Sequence, residues 1–172
     1  MPDALDNSLL TELDPLATPR EARGEVDLLL HDLAAPSTPR LPVLVVDGTP
    51  IARKFLMQRL HALGYAVYGA ESGEHALAMI GRQSFGIVFL ELTLSPDQGP
   101  EQGIDGLSLC QAIKRKPDHV NGLVPAVVVT TGRAGSSSRV HGSLAGCDAY
   151  LTKPLLDANL REALRKVDPQ FQ

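Results

Sequence analysis

Five short stretches of the chain are mostly apolar, and the first of them ends directly at an aspartate. Apolar runs of this length are typical of strands that are buried on both faces of a sheet. The pattern therefore predicts strands over residues 41–46, 65–70, 86–92, 124–130 and 149–153.

Amphipathic segments with helix-boundary residues lie between these runs. Pro50 suits the first turn of a helix and Gly64 suits its end. Ser72 and Asp157 are residues that commonly cap a helix N-terminus. The predicted helices span residues 50–63, 72–83, 104–116 and 157–167, with a further helix that follows a turn at residues 132–138 and ends at residue 145.

Five strands that alternate with five helices predict the α/β class. The expected architecture is a doubly wound parallel sheet that is covered by helices on both faces. Ligands of such sheets bind beyond the C-terminal ends of the strands. The polar residues predicted at that edge are Asp47, Glu91, Thr130 and Lys153. Their convergence is the main chemical feature of the sequence.

The N-terminal region differs from the rest of the chain in charge. Residues 1–40 hold eight acidic residues and three Arg, a net charge of −5, while the remaining residues carry a net charge of +1. Apolar residues at helical spacing predict a short helix at residues 21–34, followed by a Pro-rich linker. We therefore predict an acidic extension with a linker (residues 1–40), one folded domain (41–168) and a short tail (169–172), with no effector domain after it.

Composition and charge exclude several classes of protein. The formal net charge of −4 argues against a nucleic-acid binder, which would normally carry a basic patch. The apolar segments are strand-sized, which argues against a membrane protein, and the first residues do not resemble a signal peptide. Neither of the two cysteines belongs to a C-x-x-C motif, and the histidines lack metal-ligand spacing. We expect a cytoplasmic protein with reduced thiols.

Several motifs occur in the order and spacing of a known family. They are VLVVD at residues 43–47, GYAV at 64–67, DGL at 105–107, PAVVVT at 125–130 and YLTKP at 150–154. On these motifs, residues 41–168 resemble the receiver domains of two-component response regulators, the CheY-like superfamily. The resemblance implies a flavodoxin-like fold whose five parallel strands have the order 2-1-3-4-5.

The resemblance also implies a phosphoryl-acceptor pocket, and this sequence departs from it. Receivers transfer a phosphoryl group from a histidine kinase to their own aspartate beside Mg²⁺, which a pair of acids holds. By motif, Glu91 occupies the acceptor position and Asp47 matches the first acid of the pair. Gly48 stands at the position of the second acid, so one metal ligand is missing.

The remaining pocket residues follow the family pattern. Thr130 matches the hydroxyl that contacts the phosphoryl group, and Lys153, followed by Pro154, matches the lysine that does so. Tyr150 matches the aromatic residue that moves when receivers switch. For Thr130 and Tyr150 a purely structural role in a strand is the alternative interpretation.

Charge counting indicates what the substitutions change. The family pocket holds three carboxylates and one ammonium, whereas Asp47, Glu91 and Lys153 give a net charge of −1. Since Mg²⁺ requires several oxygen ligands, we expect weak Mg²⁺ binding or none, with Asp47 as the remaining acid of the pair. The longer side chain of Glu91 is expected to reach Lys153 and form a charge-assisted hydrogen bond. In the inserted loop at residues 95–103, replacement metal ligands are an alternative to simple solvation.

The predicted function is that of a degenerate receiver, or pseudo-receiver, that acts by protein–protein interaction, independently of aspartyl phosphorylation and not as an enzyme. A histidine kinase, another response regulator or an effector is the expected partner, and a homodimer is a further option. One alternative is a phosphorylatable receiver that uses another acceptor, such as Asp47. A third hypothesis is a flavodoxin-like domain that binds a small molecule or catalyses a reaction.

Overall fold

The computed structural model describes residues 40–94, 104–115, 120–132 and 146–172. The predicted N-terminal helix at residues 21–34 and the inserted loop at 95–103 lie outside these residues. The predicted helix that ends at residue 145 lies outside them as well.

In the described part of the chain, five parallel strands form one sheet in the order β2-β1-β3-β4-β5. The strands are β1 (Val43–Val46), β2 (Val67–Ala70), β3 (Ile87–Glu91), β4 (Ala126–Thr131) and β5 (Ala149–Thr152). The interior strands β1 and β3 are buried at every position, and all their residues except Glu91 are apolar. The predicted fold class and strand order are confirmed.

The helices of the described ranges lie between these strands or after the last of them. They are α1 (Pro50–Ala62), α2 (Gly73–Ile80), α3 (Gly106–Arg115) and α4 (Asp157–Val167). Pro50 begins α1, and Gly64 follows its end with φ of +87°, a conformation that favours glycine. The Ser72 hydroxyl accepts the amide hydrogen of His75 and caps α2, as predicted. Within the described residues, no helix has the length and apolar character that a membrane span requires.

Several predicted helix boundaries are wrong, and α3, for example, begins two residues after its predicted start. Helix α2 ends at Ile80, three residues before the predicted end, because Gly81 follows as its C-cap. Asp157 does not cap α4: the N-cap is Leu156, whose backbone is extended and whose side chain makes no capping bond. Asp157 instead lies in the first turn, where the helix dipole favours a carboxylate, and pairs with Arg59 of α1.

The core lies on both faces of the sheet, since successive strand residues point to opposite sides. On one face, Leu44 and Val46 pack with buried residues of α2 and α3. On the other face, Val43 and Val45 pack with buried residues of α1 and α4. The helices therefore cover both faces, which leaves the strand ends as the place where polar side chains converge.

A group of interacting residues joins the beginning and the end of the described domain. We call Arg40, Tyr65, Asp168 and Phe171 the basal cluster. The Tyr65 hydroxyl donates to Asp168 Oδ2 over 2.5 Å, and Arg40 Nε lies 3.7 Å from the same oxygen. The Arg40 guanidinium lies 5.1 Å above the Tyr65 ring, and Phe171 stacks on that ring at 6.3 Å. Phe171 is buried, so the packed domain extends past Asp168 into the segment predicted as a tail.

Candidate functional site

Three of the predicted site residues meet at the C-terminal edge of the sheet. Asp47 directly follows β1, Glu91 is the last residue of β3, and Lys153 directly follows β5. All three have odd residue numbers, as do the residues of the same strands that pack with α1 and α4. Because side chains alternate between the two faces along a strand, the three residues point to the same side. We call Asp47, Glu91 and Lys153 the strand-end cluster.

The ammonium of Lys153 lies between the two carboxylates. Its Nζ is 2.8 Å from Asp47 Oδ2 and 2.5 Å from Glu91 Oε2. Both distances are those of charge-assisted hydrogen bonds. The predicted contact between Glu91 and Lys153 is confirmed, and Lys153 also contacts Asp47. One lysine from β5 therefore links the ends of β1 and β3.

The other oxygen of each carboxylate accepts a backbone amide hydrogen two residues further along the chain. Thr49 N donates to Asp47 Oδ1 over 2.8 Å, and Thr93 N donates to Glu91 Oε1 over 3.1 Å. The Arg53 guanidinium donates to the backbone oxygen of Asp47 over 2.6 Å. In each carboxylate, one oxygen thus accepts a hydrogen bond from a backbone amide of the adjoining turn, and the other contacts the ammonium of Lys153.

Burial makes this arrangement electrostatically consequential. The side chains of Asp47 and Glu91 are 7% and 8% exposed, while that of Lys153 is 28% exposed. Burial by itself lowers the pKa of Lys153, but the hydrogen bonds and charges of Asp47 and Glu91 outweigh it and leave the pKa raised. Lys153 therefore stays charged at neutral pH, so that a single ammonium faces two acidic side chains.

The position after Asp47 has no room for a side chain. A Cβ atom on Gly48 would lie 2.4 Å from the backbone oxygen of Leu94, closer than real Cβ contacts come. Leu94 is buried in the core on the side of α2 and α3, which fixes the segment after β3. Glycine at residue 48 therefore allows the backbone of that segment to approach β1.

A second glycine brings α3 against the backbone of Glu91. A Cβ atom on Gly106 would lie 2.5 Å from the backbone oxygen of Glu91 and 2.6 Å from Leu92 Cα. The amide of Gly106 also donates to the Leu92 oxygen over 3.3 Å. The first residue of α3 is therefore in direct backbone contact with the end of β3.

Comparison with known proteins identifies the family. The sequence profile of the response regulator receiver domain matches residues 43–165. The chain belongs to this family. It is a receiver domain of the kind used in two-component signalling.

Relatives and solved structures agree with this assignment. A probable transcriptional regulator of Porphyridium aerugineum is 32% identical over 130 residues, which cover 73% of this chain and 49% of that protein. A gliding motility regulatory protein of Myxococcus xanthus is 34% identical over 119 residues, which cover 69% of this chain and 14% of that protein. The chain spans about half the length of the first relative and much less of the second.

Two solved structures show the same fold. A CheY-like receiver domain protein of Methanospirillum hungatei superposes with a TM-score of 0.61 at 26% identity, covering 76% of this chain and 96% of that one. A response regulator of Burkholderia pseudomallei, solved with a phosphorylated aspartic acid and a calcium ion, gives a TM-score of 0.59 at 28% identity. That match covers 74% of this chain and 66% of the other.

The other residues predicted for the receiver pocket lie around the strand-end cluster. Thr130 is buried beside Glu91 on the neighbouring strand, where the two residues are register partners. Pro154 follows Lys153 through a cis peptide bond. Tyr150 is partly buried against the core on the side of α2 and α3, the face opposite to the one shared by Asp47 and Lys153.

The residues present do not fit the Mg²⁺ site that the family implies. The space for a second acid at Gly48 is taken by the Leu94 oxygen, and both carboxylates already bind Lys153. Among the described residues, no group of three His, Cys, Asp or Glu is placed to hold a metal ion. The inserted loop with its candidate ligands lies outside those residues.

Sequence reasoning missed the contributions of Leu94, Thr49 and Thr93, which act through backbone atoms. A backbone oxygen or amide leaves no side-chain signal in the sequence. The nearest available signal was Gly48, since a glycine between a strand and a helix often marks close backbone approach.

Proposed function

We propose that this receiver acts in two-component signalling by protein–protein contact, without phosphorylation at the acceptor position and without catalytic turnover. The observation that carries the proposal is the contact between Glu91 and Lys153. In the family pattern the lysine serves the phosphoryl group, whereas here it is bound by the residue that replaces the acceptor, 2.5 Å away.

The geometry of Glu91 supports the same conclusion. Its side chain is one methylene longer than that of aspartate, and both of its oxygens have partners, Lys153 and the amide of Thr93. Attack on a phosphoryl group requires a positioned carboxylate oxygen that is available to form the new bond. A buried carboxylate that accepts an ammonium and an amide hydrogen is poorly placed for that role.

The expected partners follow from the family and not from a particular surface. Receivers exchange signals with histidine kinases, with other response regulators and with effectors, and we propose a partner of one of these kinds. The Glu91–Lys153 contact, which needs no phosphoryl group, supports a receiver whose pocket stays in one state. Binding of such a partner would then not depend on a phosphorylation step.

The test is treatment with acetyl phosphate and Mg²⁺, followed by intact-mass measurement. We expect no phosphoryl adduct on this chain, while the Burkholderia pseudomallei regulator, solved with a phosphorylated aspartic acid, serves as the positive control. A stoichiometric adduct would contradict the proposal. Peptide mass spectrometry of that adduct would then show whether the acceptor is Asp47 or another residue.

A further inference from the structure

The strand-end cluster satisfies its own charges without an added ion. Lys153 binds one oxygen of each carboxylate, and the amides of Thr49 and Thr93 bind the other two. Among the described residues, no buried side-chain oxygen or nitrogen lacks a hydrogen-bond partner. A cation entering the cluster would therefore have to share these oxygens with their present partners and would meet the positive charge of Lys153.

We infer that the ammonium of Lys153 is the resident cation of this pocket and that the folded receiver requires no divalent metal there. The inference rests on the proposed function, because a receiver that accepts no phosphoryl group has no step that needs the metal. It adds the reason why the pocket is closed to Mg²⁺, namely that a lysine occupies the position between the carboxylates.

Lys153 is placed so that its ammonium links acidic side chains at the ends of two other strands. The backbone amide of Lys153 donates to the backbone oxygen of Thr131 over 2.8 Å, which holds the Lys153 backbone against β4. Its Nζ then contacts acids at the ends of β1 and β3. The lysine thus extends from β5 past β4 to the ends of β1 and β3. Its removal would leave two buried carboxylates without the cation between them.

Gly48 explains why restoring the family acids would not restore the metal. The Cβ atom of any side chain at residue 48 would lie only 2.4 Å from the backbone oxygen of Leu94. Leu94 is itself held in the core, so its backbone cannot give way without loss of packing. Gly48→Asp, alone or combined with Glu91→Asp, is therefore expected to lower stability without creating Mg²⁺ affinity.

The experiment measures thermal unfolding of the full chain with about 10 mM MgCl₂ and with NaCl of equal ionic strength. We expect the Tm of the parent to change by less than about 1 °C. Lys153→Ala and Lys153→Met leave Asp47 and Glu91 around a vacant position, so Mg²⁺ should raise their Tm by about 3 °C or more. Lys54→Ala, which removes an exposed lysine of α1, controls for general charge effects and should behave like the parent.

Either of two results would overturn the inference: saturable Mg²⁺ stabilisation of the parent, or equal Mg²⁺ responses of the Lys153 variants and Lys54→Ala. If the Lys153 variants are unfolded without metal, recovery of helical circular dichroism on adding Mg²⁺ supports the inference, and failure to recover contradicts it. The acetyl phosphate test is separate. A phosphoryl adduct refutes the proposed function, whereas a metal-stabilised parent that forms no adduct refutes this inference alone.

Discussion

The two ends of the sheet each hold a buried acid beside a cation, yet the two clusters are built differently. In the basal cluster, one carboxylate accepts hydrogen bonds from the Tyr65 hydroxyl and the backbone amide of Gln170 and forms an ion pair with Arg40. In the strand-end cluster, two carboxylates share a single ammonium. The basal cluster has one acid for one cation, whereas the strand-end cluster has two acids for one cation.

This difference separates a structural cluster from a site that is built around charge. A buried acid with neutral donors and a stacked ring is satisfied by local packing, and it holds the chain ends together. Two buried carboxylates near one another are costly unless a cation lies between them. The strand-end cluster therefore depends on one residue, Lys153, in a way that the basal cluster does not depend on Arg40.

The largest effect is expected from Lys153→Met in metal-free buffer. The substitution leaves Asp47 and Glu91 buried without their shared cation, and we expect it to lower the free energy of unfolding by about 3 kcal/mol. Urea denaturation followed by circular dichroism measures the change. Lys54→Met, on an exposed position of α1, should change it by less than about 0.5 kcal/mol. Equal effects of the two substitutions would contradict the dependence on Lys153.

A smaller effect is expected at the other end of the sheet. Asp168→Ala removes the acceptor of two hydrogen bonds and the ion-pair partner of Arg40, which is partly exposed and can be solvated. We expect the free energy of unfolding to fall by about 2 kcal/mol in the same urea experiment. Asp157→Ala removes a largely exposed carboxylate that pairs with Arg59 in the first turn of α4 and should cost less than about 1 kcal/mol. A cost of Asp168→Ala above that of Lys153→Met would reverse the proposed ranking.

The smallest effect is the dependence of stability on alkaline pH. Burial, with the hydrogen bond and charge of Asp168, raises the pKa of Tyr65, and the partners of Lys153 raise its pKa as well. Both contributions to stability are complete below the unfolded pKa values, about 10 for tyrosine and about 10.4 for lysine, and are lost as the pH rises through the folded values.

Urea denaturation at several pH values between about 8 and 11 measures this dependence. Stability should be level in the lower part of that range and fall above about pH 10. Tyr65→Phe and Lys153→Met should each remove part of the decline, because each removes one of the two groups. A decline that is unchanged in both variants would assign it to other groups.

Much of the fold and the central part of the site could be predicted from the sequence. The apolar runs located all five strands, because a strand buried on both faces leaves little choice of residue. Asp47, Glu91 and Lys153 were predicted to converge because parallel strands place their C-terminal ends at one edge. The Glu91–Lys153 contact followed from side-chain length and charge.

The remaining features depend on the path of the backbone. The approach of Leu94 to Gly48 is set by how the segment after β3 packs, and no side-chain pattern encodes it. The bond between Tyr65 and Asp168 joins residues that are 103 positions apart, a separation over which local patterns give no information. Asp157 was predicted as a cap because its residue type is common there, but the helix begins with Asp157 already in its first turn.

The backbone contact between Gly106 and the end of β3 has a mechanical consequence. Because no side chain separates the first turn of α3 from Glu91 and Leu92, the two segments have no compressible layer between them. A displacement of the Glu91 backbone towards α3 would then press directly on the start of a ten-residue helix. The end of β3 is therefore coupled to the first turn of α3 through direct backbone contact.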